Sequence, residues 1–142
     1  MRMRTYMLLA TGIIVADVVS KWWILHARPW LVVVNYGVSW GIGSQGILSG
    51  MLFGFLALLV AAIFVISARV RFLKGLNILP EVLLVSGALA NILDRLMHVG
   101  GVVDFIDLGN IGLAFPLFNL ADIAVVSGVC LLLLRELVYE KV

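Results

Sequence analysis

The chain has 142 residues, 63% of them hydrophobic and only 13% charged, with a formal net charge of +2. A soluble domain is nearer half apolar and a quarter charged, so a single water-facing fold is excluded, and so small a net charge gives nucleic acid no electrostatic footprint. A lipid solvent accounts for the excess and predicts long apolar runs, in one domain with room for about four spans.

The first run covers residues 6–25 and follows Arg2 and Arg4. It has the outline of a secretory signal, but Asp17 and Lys21 interrupt it and no clear small-x-small cleavage site follows, so it is expected to stay as a first span. The second run covers 51–68. The third covers 78–97 and carries Pro80 in its first turn, where a missing N–H is harmless. The fourth covers 117–134 and holds the only cysteine, Cys130, expected to be a buried, inert thiol. Each run approaches the ~20 residues that cross a ~30 Å hydrocarbon layer, and backbone satisfaction in lipid favours helices. The expected fold is an all-α membrane protein of four transmembrane helices, with 1–142 as one integral membrane domain.

The charges orient these spans. Arg2 and Arg4 precede the first, Arg69, Arg71 and Lys74 lie between the second and third, and Arg135 and Lys141 follow the fourth. The positive-inside rule then places both termini in the cytoplasm. Trp22, Trp23, Trp30 and Trp40 all fall at or after the outer end of the first span, as an aromatic belt would. In the outer segment 26–50, the run Leu31-Val-Val-Val34 followed by Asn35, Tyr36 and Gly37 predicts a short sheet or hairpin lying on the membrane. In the outer segment 98–116, Gly100 and Gly101 break a helix and Val102-Val103 begin an extended piece.

Ionisable groups in spans are expensive and mark function by default. Asp17 and Lys21, at i and i+4, share a helix face; a structural ion pair is the favoured reading and a chemical role for Asp17 the other. Asn35 either turns the chain or holds a peptide backbone with its amide. Asn91, Asp94 and Arg95 lie on one face of the third span, and Asp104 follows near the outer interface, with Asp107 expected to be wet and structural. Asn119 and Asp122 face together at the start of the fourth span; an N-cap with a helix-dipole carboxylate is the plainer alternative.

Together these clusters bring Asp104 and Asp122 to the same outer level. Two facing carboxylates repel, so one retains a proton. The ionised member can take a proton from water while the other donates to a carbonyl oxygen, which is what peptide hydrolysis without a metal or covalent nucleophile requires. His26 and His98 have no ligand spacing and read as interfacial residues.

In these blocks the sequence resembles the lipoprotein signal peptidase (signal peptidase II) family along essentially its whole length. Asp17-x-x-Ser-Lys21, Asn35-x-Gly37, Asn91-x-x-Asp94-Arg95 with Val103-Asp104-Phe105, and Phe118-Asn119-x-Ala121-Asp122 match its four motifs in order. The resemblance implies Asp104 and Asp122 as the catalytic pair, with Asn91, Arg95 and Asn119 lining the site, Asn35 touching substrate, and Asp17 and Lys21 in support. It implies prolipoprotein substrates whose signal peptide precedes a diacylglyceryl-modified cysteine, a bacterial inner-membrane location, and sensitivity to cyclic peptide inhibitors. No cofactor or metal is expected, and a monomer is the expected state. An apolar signal helix and lipid tails could enter sideways from the bilayer. Ala90 and Ser86 stand where the family usually has glycine, and Val38-Ser39-Trp40 departs from its usual pattern in the first outer segment. The competing readings are a small proton- or ion-translocating subunit and a non-catalytic assembly factor.

Overall fold

A computed structural model describes residues 2–37 and 46–139. Four helices dominate it: α1 (Met3–Ala27), α2 (Ile47–Leu73), α3 (Leu79–Met97) and α4 (Leu120–Tyr139). Two three-residue strands, β1 (Val33–Asn35) and β2 (Val102–Asp104), complete the framework with short 3-10 turns at Pro29–Leu31 and Gly109–Ile111. α1 and α2 are long and apolar enough to cross a membrane, with mean hydropathies of 1.7 and 2.7. Both extend past the predicted apolar runs at each end, and at their C-terminal ends the helix continues through His26 in α1 and through Arg69 and Arg71 in α2. A charge ends an apolar run without ending a helix.

α3 is the hub, packing against α1, α2 and α4. Its approach to α4 is very close. Gly87 leaves room for the Ala121 carbonyl, and a Cβ on Gly128 would stand 2.9 Å from both Leu84 N and Pro80 O. Small residues at such crossings let backbones meet where lipid supplies no hydrophobic drive. Ala90, in place of the usual glycine, is 1% exposed and still fits, and Ser86 is buried with its hydroxyl turned back onto Val82 O at 2.8 Å.

The predicted β-element forms, but it joins the two outer segments to each other. β1 pairs antiparallel with β2 in the register Val33↔Asp104, Val34↔Val103 and Asn35↔Val102. The local turn signal after Asn35 suggests a hairpin; the actual partner comes from beyond α3. The corner before β2 is tight. Val99 has φ 52 and Gly100 φ 93, an unfavourable backbone for a β-branched residue, held where Gly100 abuts Gly50 of α2.

Away from the outer segments, Glu81 of α3 is fully buried. It accepts a hydrogen bond from Arg135 Nη1 at 2.8 Å and has Arg71 Nε at 3.4 Å, so α2, α3 and α4 are tied at this end. Large apolar side chains such as Leu48, Phe55, Ile66, Val126 and Leu137 stand exposed along the helices, the surface that a lipid solvent would cover. Trp22, Trp23 and Trp30 are exposed as an aromatic belt requires, while Trp40 and the Val38-Ser39-Trp40 departure lie outside the described residues. Cys130 corrects its expectation. It is exposed on the outward side of α4, because an apolar run in lipid does not imply burial in protein.

Candidate active site

The four clusters of the sequence converge at the end of the bundle that carries the strands. Asp104 closes β2 and Asp122 sits in the first turn of α4. Asn119 joins them. Its Nδ2 donates to Asp104 Oδ1 at 2.7 Å, and its backbone N–H donates to Asp122 Oδ2 at 3.2 Å. Its Oδ1 in turn accepts the Asp122 N–H at 2.9 Å. This last pair of bonds is a reciprocal N-cap, so the plain reading of Asn119 holds. One residue starts the helix and holds both carboxylates.

Three amides are each pinned by their oxygen so that their nitrogen faces an aspartate. Asn119 is the first. Asn35 Oδ1 accepts Gly37 N–H at 2.9 Å, leaving Nδ2 to donate to Asp104 Oδ2 at 3.1 Å. Asn91 Oδ1 accepts from Lys21 Nζ at 3.1 Å, leaving Nδ2 to donate to Asp122 Oδ1 at 2.8 Å. An amide can present either end; here a donor on the oxygen decides which. Arg95 spends its guanidinium on backbone, Nη1 on Asn91 O at 3.3 Å and Nη2 on Gly37 O at 3.2 Å, holding the first outer segment to α3.

Beneath these groups lies a buried charge network. Lys21 Nζ is 2.7 Å from Asp17 Oδ2 and 3.0 Å from Asp94 Oδ2, all three side chains being almost fully buried. Asp94 Oδ2 also accepts Val103 N–H at 2.6 Å, which fixes the strand residue beside Asp104. Asp17 Oδ1 accepts Ala121 N–H at 2.9 Å, beside Asp122. The expected i,i+4 pair is therefore present and reaches further than its own helix. Asp104 is 4% exposed, and its pKa rises from 3.8 to about 6, first through burial and then through the negative charge of Asp122. Its hydrogen bonds from Asn35 and Asn119 oppose the rise.

The sequence pattern of the family described as signal peptidase (SPase) II matches residues 9–138. The chain belongs to the signal peptidase II family. Similar proteins include the lipoprotein signal peptidase of Polynucleobacter necessarius, 33% identical over 93% of this chain and 88% of that protein. The lipoprotein signal peptidase of Staphylococcus carnosus is 41% identical over 72% of this chain and 63% of its own length. Among solved structures, a bacterial membrane enzyme obtained by the in meso method at 2.3 Å superposes with TM-score 0.71 and 28% identity, covering 95% of this chain and 88% of that one. The chain is thus a membrane protein of the aspartic peptidase type, and the ion-translocating reading finds no support.

Every site residue singled out in the sequence takes part in this one assembly. Asp107 stands apart and exposed, its Oδ1 accepting Gly109 N–H at 2.7 Å in a local turn. His98 is less isolated than its sequence suggests: Nδ1 lies 2.9 Å from Asp94 Oδ1, an i,i+4 spacing that could have been read. Glu81 carries a signal of its own in the sequence, since an acidic residue opens an apolar run there. No group of three or more metal-binding side chains occurs among the described residues. A cavity of about 410 Å³ lined by Tyr6, Phe72, Gly75, Leu76 and Asn77 lies at the opposite end of the bundle and holds none of these groups.

Proposed function

We propose that the chain is a membrane aspartic endopeptidase that removes the signal peptide from prolipoproteins, cleaving just before a diacylglyceryl-modified cysteine. Asp104 and Asp122 are the catalytic pair. The observation that carries this reading is the single asparagine bridging two carboxylates, one of them with its pKa raised to about 6. The pair works with one proton. Its ionised member takes a proton from water as the water oxygen attacks the scissile carbonyl, and its protonated member donates to the carbonyl oxygen. Collapse of the tetrahedral intermediate breaks the C–N bond, with a proton returned to the leaving amine. Asn35, Asn91 and Asn119 hold the carboxylates, Arg95 keeps the first outer segment in place, and Asp17 and Lys21 support the assembly from below.

The chain acts as one integral domain, with all four helices spanning the bacterial inner membrane, both termini cytoplasmic and the site toward the outer face. The supporting features are Arg69, Arg71 and Lys74 at the end of α2 away from the site, and three tryptophans at the site's end. An apolar signal helix and the lipid tails enter from the bilayer between the helices, and their burial supplies binding energy while the peptide bond reaches the wet edge. The deciding experiment is cleavage of a lipid-modified prolipoprotein by the purified protein, with and without a chelator. Release of the signal peptide in both samples supports the reading; no cleavage, or cleavage lost on chelation, removes it. Labelling of cysteines placed in residues 69–74 tests the orientation, since reagent outside intact cells should fail to reach them.

A further inference from the structure

In α2 the stretch Gly50-Met-Leu-Phe-Gly54 sets two glycines one turn apart in an otherwise apolar helix. That spacing lets a second helix approach closely in lipid, often from another molecule. Here the face is filled from within the chain. Gly50 is buried against the Gly100 carbonyl, and Gly54 lies under the Arg95 side chain. A Cβ built on Gly54 would stand 3.1 Å from Arg95 Cδ and 4.0 Å from Arg95 Cβ. Any branched or longer side chain would fill the path along which Arg95 runs before its Nη2 reaches Gly37 O at 3.2 Å. Among the described residues no side chain of α2 hydrogen-bonds Asp104 or Asp122, so α2 acts on the site through the space it leaves.

We infer that Gly54 is a positioning residue for Arg95: its missing side chain opens the path by which the guanidinium crosses α2 and holds the first outer segment against the two carboxylates. This rests on the role proposed above for Arg95. A Cβ at Gly54 already requires Arg95 to give by a few tenths of an ångström, and the longer side chain of leucine requires more; a displacement of about 1 Å far from the chemistry can cost ~10²-fold in rate.

The test is a double-mutant cycle on the full-length purified protein with a lipid-modified prolipoprotein, reading kcat, KM and thermal unfolding for each variant. Gly54→Leu should lower kcat by ~10²-fold with the unfolding temperature retained. Gly54→Ala should fall between it and the wild type. The combination of Gly54→Leu with Arg95→Ala should be no worse than Arg95→Ala alone, because the glycine acts only through the arginine. Gly12→Ala is the control, since a Cβ there meets nothing within 4 Å, and it should match the wild type. Wild-type turnover by Gly54→Leu, or losses that multiply with Arg95→Ala, would overturn the inference. Should Gly54→Leu fail to fold, Gly54→Ala enters the same cycle with the same two readings. Full activity of Arg95→Ala would remove the role of Arg95 itself, whereas an impaired Arg95→Ala with multiplying losses removes only the role of Gly54.

Discussion

The Asp17 carboxylate in α1 accepts the backbone N–H of Ala121 in α4 at 2.9 Å, across 104 residues of sequence. The first helix thereby holds the residue next to Asp122, and Lys21 holds Asp17 from the other side at 2.7 Å.

Replacing Lys21 by Met leaves Asp17 and Asp94 buried without their shared cation. Breaking a buried pair by removing one partner costs about 3–5 kcal/mol. Thermal unfolding in detergent should shift down accordingly. A variant as stable as the wild type yet inactive would move Lys21 from support into chemistry.

Asp104→Asn and Asp122→Asn should each abolish cleavage while the folded protein still binds lipoprotein. Asn keeps the shape but cannot exchange a proton. The double variant should be no worse than either single one, because groups acting as a unit are non-additive. Asp107→Asn, exposed and in a local turn, should cleave normally. Turnover near normal in either dyad variant would end the two-carboxylate mechanism.

The raised pKa of Asp104 makes a signed prediction for stability. Its folded value of about 6 exceeds the ordinary 3.8, so the native state keeps a proton that the unfolded chain gives up in between. Stability from this group is full below about 3.8 and is lost as pH rises through about 6. Asp104→Asn should therefore raise the unfolding temperature more at pH ~8 than at pH ~4. In the wild type, kcat/KM should be bell-shaped with its alkaline limb near 6, a value belonging to the pair. An unfolding difference that does not change with pH would contradict the assignment.

At the other end, Glu81 and Arg135 should matter for stability alone. Glu81→Gln leaves two arginines that are partly exposed and can turn to water, at a cost of about 1–3 kcal/mol. Arg135→Met leaves the fully buried carboxylate with only Arg71 at 3.4 Å, and should cost more. Cleavage per folded molecule should be unchanged in both. An activity loss beyond the folded fraction would show that this tie reaches the site.

The sequence made the helices and the site residues legible for separable reasons. Apolar runs near membrane length marked the helices, and charged or amide groups at i, i+3 and i+4 stood out because lipid makes them costly. Pairing across the chain was not legible. The strand partner of Val33 is Asp104, set by where α3 ends, and no local turn signal reports that. Burial of Glu81 and exposure of Cys130 were equally hidden, since an apolar run in a membrane protein does not say which side faces protein. Gly54 is not legible in the sequence, because a missing side chain has meaning only beside the one that uses its space.

Among the described residues, every hydrogen bond received by the two aspartates comes from an uncharged donor: Asn35, Asn91, and the side chain and backbone of Asn119. Arg95 and Lys21 place their hydrogen bonds elsewhere and act on the pair only through their charge. The charge on the pair is thus set by its proton, and this gives medicinal chemists a lever. A compound presenting a hydroxyl on a tetrahedral carbon should bind best to the singly protonated pair and weaken as pH rises past about 6. One presenting an ammonium in the same place should take over the proton's job and gain affinity across that interval.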